Sequence, residues 1–194
     1  MTKNIDFYFD FISPYSYLAY KKLKRINNAN QIKVEYKPIL LGGLHKLSGI
    51  TPPAFNERKL KNMKNDCELV AIKNDIEFVW NSKFPLNSLY LMRGYLIVEK
   101  NLKNKFFEIC FDAYWKNNMD ILDEKNLDKI LKTTGLDKNS FLQNIENLEI
   151  KDMLKKLTKD AFEKDIFGAP SFVVNNKIFW GQDRLAYALD EYNS

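Results

Sequence analysis

The stretch Phe7-Tyr8-Phe9-Asp10-Phe11-Ile12-Ser13-Pro14-Tyr15-Ser16-Tyr17-Leu18-Ala19 changes its periodicity half-way along. Residues 5–11 have the aromatic-rich alternation of a β-strand, whereas Tyr15, Leu18, Ala19, Leu23 and Ile26 recur at helical spacing. Between the two runs Ser13 is suited to cap a helix, and Pro14 fits the first helical position, where its missing N–H is not needed. Residues 32–41, with Val34, Tyr36 and Ile39, supply a second β-rich run. The chain therefore opens as β-α-β, with Ser13 at the carboxyl end of the first strand and the amino end of the first helix.

Beyond Gly42-Gly43 and Pro52-Pro53 the pattern is almost wholly helical, from about residue 56 to residue 164. Leu86, Leu89, Tyr90 and Arg93 open one helix, and Ile150, Met153, Leu154, Leu157 and Ala161 form a stripe that predicts a core-facing surface. The β character returns in residues 171–174 and 177–180, joined by Asn175-Asn176, a pair that tolerates positive φ in a two-residue turn. A last helix is predicted over about residues 184–192. A β-α-β half and a β-β-α half separated by helices match an α/β, thioredoxin-like fold with a large all-helical insertion. Residues 1–55 and 165–194 are expected to form the thioredoxin-like domain, and 56–164 the inserted helical subdomain.

A chain of 194 residues accommodates one such enlarged domain. Its net charge of +5 comes mostly from lysines scattered beside Asn, Asp and Glu, the pattern of solvated helix faces. Without a dense basic patch, no nucleic-acid partner is expected. The N-terminus passes directly into the first strand, and no apolar run approaches membrane-spanning length, so a cytoplasmic protein with no membrane association is expected. Cys67 and Cys110 form neither a C-x-x-C motif nor a zinc-ligand spacing, so buried free thiols and no metal site are expected. His45 has no Cys or Ser partner at a telling spacing and is assigned a structural or loop position.

Three motifs carry chemistry. Ser13-x-x-Ser16 lies where free helix N–H groups and the helix dipole favour an anion. It keeps the spacing of a thioredoxin C-x-x-C while replacing both cysteines. A serine cannot exchange disulfides, but its hydroxyl can donate to the sulfur of a bound thiol and favour the thiolate; as an isolated feature Ser13 reads first as a simple helix cap. Phe167-Gly168-Ala169-Pro170-Ser171 precedes the returning hairpin, at the place of the cis-proline loop, whose backbone pairs with a peptide-like ligand as an added strand would. Trp180-Gly181-Gln182-Asp183-Arg184 turns into the last helix, which Asp183 can cap.

These motifs together, with Ser48-Gly49-Ile50-Thr51-Pro52-Pro53-Ala54, Arg58-Lys59, Phe84-Pro85-Leu86-Asn87 and Asp112-Ala113-Tyr114-Trp115, resemble the 2-hydroxychromene-2-carboxylate isomerase family, a DsbA-like group related to kappa-class glutathione transferases. The resemblance implies glutathione as cofactor and Ser13 as the catalytic serine that touches its sulfur. Ala169 would offer backbone hydrogen bonds beside a cis Pro170. Gln182 and Asp183 would hold the γ-glutamyl end, and Lys59 would serve the glycyl carboxylate or the substrate acid, with an exposed helix lysine as the alternative. The family commonly has Asn where this chain has Ile50, which cannot make that side chain's hydrogen bonds.

The activity implied is cis–trans isomerisation of an aromatic pyruvate-type substrate by reversible thiol addition, in a homodimer. The alternatives are a kappa-type transferase acting on a small electrophile, and a non-catalytic thioredoxin-fold binding protein.

Overall fold

Four strands are ordered β2-β1-β3-β4. The computed structural model describes the backbone of residues 3–30 and 32–194 and their side chains except at 28–30. Strand β1 (Ile5–Phe9) leads into α1 (Pro14–Asn30), which crosses to β2 (Val34–Pro38), parallel to β1 with Phe7 opposite Tyr36. Strand β3 (Ser171–Val174) runs antiparallel to β1 and pairs with β4 (Lys177–Trp180). Asn175 and Asn176 close that hairpin at φ 49° and 63°, the left-handed conformation expected of this turn. Helix α9 (Leu185–Asn193) ends the chain.

The segment between β2 and β3 holds α2 (Leu41–Leu47), α3 (Glu57–Lys73), α4 (Leu89–Ile97), α5 (Lys100–Trp115), α6 (Glu124–Thr134), α7 (Lys138–Ile145) and α8 (Leu148–Phe162). Asparagine and aspartate caps set several of these boundaries. Asn56 accepts from Lys59 N–H, Asp123 from Lys125 and Asn126 N–H, and Asp137 from Ser140 N–H, satisfying amides that the first turn leaves without a partner.

The inserted helices and the sheet share a large apolar core, and a second, smaller cluster of Tyr8, Ile39, Leu44, Ala161 and Ile166 packs against Ala169 and Val173. Phe9 meets Phe107 at a ring-centroid distance of 4.6 Å, and Phe11 meets Phe111 at 4.9 Å. The indole of Trp115 donates to the Phe11 carbonyl at 2.8 Å. Edge-to-face geometry of this kind adds to the burial of each ring. Cys67 and Cys110 are buried free thiols. Among the described residues no helix is long and apolar enough to cross a membrane.

Several local expectations need correction. The second β run spans Val34–Pro38, and Gly42-Gly43 lies inside α2, ahead of the stretch expected to be helical. Leu44 is fully buried, and Gly43 lies against Leu40 and Thr158, so packing against α8 overrides glycine's weak helix propensity. His45 is accordingly a half-buried helical residue.

Residues 74–88 contain no helix before α4. Pro85 cannot donate to a helical ladder, and Asn81 instead ties the segment to the carbonyls of Tyr114 and Met119 at 2.9 and 3.0 Å. On α8, Leu154 and Ala161 are buried, whereas Met153 points outward, 45% exposed.

Candidate functional site

Asp10 ends β1 and folds the following turn. Its Oδ1 accepts from Ile12 N–H at 3.1 Å, its carbonyl accepts from Ser13 N–H at 3.0 Å, and its Oδ2 accepts from Leu41 N–H at 2.8 Å. One fully buried carboxyl thus joins the β1–α1 turn to the start of α2. Burial pushes its pKa up, while hydrogen bonds from Ser88, Leu41 and Ile12 pull it down.

The turn so fixed presents Ser13, only 3% exposed. Ser13 Oγ accepts from Ser16 N–H at 3.1 Å, the expected capping bond, and donates to the Ala169 carbonyl at 3.0 Å across 156 positions of sequence. The Ala169-Pro170 bond is cis. Ser16 is fully buried, and its Oγ has no hydrogen-bond partner among the described residues. The two motifs at opposite ends of the chain therefore meet directly.

The third motif is attached to the second by one bond, Gly181 N–H to the Pro170 carbonyl at 2.9 Å. Gly181 has φ +111°, a backbone conformation that demands glycine, and the Asp183 carboxylate lies over it, with Oδ1 2.5 Å from where a Cβ would stand. Gln182 is buried and Asp183 exposed. Trp180 lies over Gly168, where an added Cβ would meet Nε1 at 2.6 Å, and its ring packs against Phe167 at 4.8 Å.

Lys59 stands apart from these three loops. It follows the Asn56 cap in the first turn of α3 and lines an open groove of about 400 Å³ with Tyr15, Pro53, Arg58, Asn62 and Met63. Tyr15, two residues beyond Ser13, connects this basic groove to the serine turn. Burial pushes the Tyr15 phenol and the Cys67 thiol far above their ordinary values; neither is an anionic nucleophile at neutral pH.

Two polar residues escaped the sequence reading. Asp10 sits inside an aromatic run that invites a purely structural interpretation. Lys22, on α1, donates from Nζ to Gln182 Oε1. Its signal was the helical spacing of Tyr15, Leu18 and Lys22, a stripe on which a lysine is out of place. Among the described residues no group of His, Cys, Asp and Glu side chains could hold a metal ion.

Residues 4–193 match the DSBA-like thioredoxin domain. The chain belongs to that family. A 2-hydroxychromene-2-carboxylate isomerase from Sphingobium xenophagum is 30% identical over 194 residues, covering 99% of this chain and 98% of that protein. Glutathione S-transferase kappa 1 from Homo sapiens is 25% identical, covering 98% of this chain and 92% of that protein. A solved structure of 2-hydroxychromene-2-carboxylate isomerase superposes with a TM-score of 0.89 at 24% identity, over 97% of this chain and 94% of the other. Within the DSBA-like family the chain thus has isomerase and transferase relatives, and it carries Ser13-x-x-Ser16 in place of a dithiol.

Proposed function

We propose that this protein is a glutathione-dependent cis–trans isomerase of the 2-hydroxychromene-2-carboxylate type. The observation that carries the proposal is the bond from Ser13 Oγ to the Ala169 carbonyl. It sets a hydroxyl, a helix amino end and a peptide-presenting loop around one point. Glutathione fits the surrounding residues. The sulfur would lie at Ser13, the cysteinyl backbone along Ala169 and Pro170, the γ-glutamyl end at Gln182 and Asp183, and a carboxylate of ligand or substrate near Lys59 and Arg58. The buried Ser16 Oγ, without a partner of its own, lies in the same helical turn.

When bound, glutathione supplies a thiol that adds reversibly to an electron-poor carbon–carbon double bond of an aromatic pyruvate-type substrate, allowing rotation about the resulting single bond before the thiol is released unconsumed. The protein's own part is electrostatic. Ser13 Oγ–H turns from the Ala169 carbonyl toward the sulfur and donates to it, and the α1 amino end lowers the energy of negative charge there. Asp10 holds the turn that aims Ser13. The groove lined by Tyr15, Arg58 and Lys59 gives the substrate an aromatic wall and two cations for its acid. Disulfide exchange is not available to a serine pair.

The human kappa transferase relative supports a second reading in which the same thiol site conjugates glutathione to a small electrophile. The two are separated by incubating the protein with 2-hydroxychromene-2-carboxylate and catalytic glutathione. Isomerisation with full recovery of the thiol is expected; stoichiometric loss of glutathione to a conjugate would replace the isomerase reading with the transferase one. A cytoplasmic homodimer is part of the same proposal, and the exposed Leu69 and Ile72 on α3, 66% and 79% exposed, are available to such an interface.

A further inference from the structure

Lys22 differs from every other cation around it on α1. Lys21 pairs with Asp112 at 2.6 Å, Lys24 pairs with Glu108, and Arg25 reaches Asp75 at 3.9 Å. Those three residues line a separate cavity with Tyr17, Ile76 and Glu77. Lys22 faces the other way, toward the turn Gln182–Arg184, and its hydrogen-bond partner is the neutral Gln182 amide. Among the described residues it makes no ion pair, although it is half-buried. A half-buried ammonium held against an uncharged acceptor gains little to offset its lost hydration. Burial accordingly lowers its pKa, with Lys73 adding to the effect and Asp183 and Asp66 opposing it.

The bond also orients Gln182. With Oε1 held by Lys22, the amide NH2 of a buried side chain is left as a donor. Asp183 follows immediately, its carboxylate folded over Gly181, beside the Pro170 carbonyl bond that links this turn to Ser13. A cation, an amide donor and an anion therefore converge within one turn of chain and the helix face opposite it. That set complements a free α-amino acid end, with the α-ammonium at Asp183 and the α-carboxylate between Lys22 and the Gln182 NH2. Lys22 lies nine residues beyond Ser13, about 14 Å along the helix axis, and helical side chains lean back toward the amino end. This places the Lys22 head group on the Ser13 side of its own Cα, toward a ligand whose thiol is at Ser13.

We propose that Lys22 is a ligand-binding residue that selects thiols carrying a free α-carboxylate on a γ-linked amino acid. The proposal rests on the thiol-ligand reading above and goes beyond it in assigning the carboxylate. Calorimetric titration of the intact protein with three tripeptides tests it. These are glutathione, 4-aminobutyryl-cysteinylglycine, which lacks the α-carboxylate, and glutaryl-cysteinylglycine, which lacks the α-ammonium.

Lys22→Met should weaken glutathione and the glutaryl peptide by about tenfold, the size of a lost charge-assisted hydrogen bond. It should leave the 4-aminobutyryl peptide as the parent binds it, and Lys22→Arg should recover most of the lost affinity. Equal weakening of all three peptides would make Lys22 a prop for the Gln182 turn and overturn the proposal, as would an unchanged glutathione affinity in Lys22→Met. If the folded parent fails to bind glutathione at all, the thiol-ligand reading itself fails, and the assignment of Lys22 falls with it.

Discussion

The two sides of the shared core are held by different forces. On the helical side, contacts run from ring to ring, through Phe9, Phe11, Phe107, Phe111 and Trp115. On the side that bears the candidate site, the loops are joined by single directional bonds: Leu41 N–H to Asp10, Ser13 Oγ to Ala169, and Gly181 N–H to Pro170. Apolar contact is non-directional and scales with buried area, so it supplies stability without specifying where an atom must lie. A hydrogen bond contributes about 1 kcal/mol net but fixes position to a few tenths of an ångström. Stability and site geometry are therefore expected to respond to different substitutions.

The largest effect should come from the ring side. Phe107→Ala should cost about 3 to 5 kcal/mol of folding free energy, measured by urea unfolding, while the fraction that remains folded binds glutathione as the parent does. A specific loss of glutathione affinity in folded Phe107→Ala would break the separation.

Ser13→Ala should reverse the pattern. Loss of a donor aimed at developing charge should lower turnover by about a hundredfold, for a stability cost of only about 0.5 to 2 kcal/mol from the missing cap. Undiminished turnover at saturating glutathione would reduce Ser13 to its capping role.

Asp183→Ala is expected to weaken glutathione by about tenfold and leave the urea midpoint nearly unchanged, because the side chain is exposed. An unaltered affinity by calorimetry would remove Asp183 from the binding site; its side chain makes no capping bond to α9.

The smallest effects are two opposed pH slopes. Burial raises the pKa of Asp10, so the folded protein keeps that proton more tightly than the unfolded chain. Stability should fall as pH climbs from the ordinary carboxylate range through the raised value, a slope that Asp10→Asn should abolish. Burial lowers the pKa of His45, so unfolding takes up a proton. Stability should fall as pH drops below the usual imidazole range, and His45→Gln should remove that second slope. Unfolding midpoints recorded across pH for the three proteins would resolve both signs.

What the sequence made legible was local in origin. The shift from alternation to helical spacing at Ser13 and the Asn175-Asn176 turn are properties of neighbouring residues, and both stand in the structure. The cis Ala169-Pro170 bond also appears as the motif implied. What escaped depends on partners far along the chain. Gly42 and Gly43 are helical because Thr158 and a buried Leu44 hold α2 in place. Residues 74–88 follow Asn81 to Tyr114 and Met119 rather than their own apolar pattern. Lys22 gains meaning only from Gln182, 160 positions away. Of the candidate site residues, Ser13, Ala169, Pro170, Gln182 and Asp183 lie in turn-like motifs and took their roles from the family resemblance those motifs carry, whereas Asp10 and Lys22 lay inside regular periodic runs.

Cys67 and Cys110 are each fully enclosed, and burial raises both thiols. The folded protein thus presents no reactive cysteine thiol of its own. A small-molecule thiol bound at Ser13, as proposed, would find no protein thiol with which to form a mixed disulfide, and iodoacetamide should meet little that is reactive on the protein itself. Catalysis assayed under air should need no added reductant beyond what keeps the small thiol reduced. Inactivation by an alkylating reagent would then report on the occupant of the Ser13 turn rather than on a cysteine of the chain.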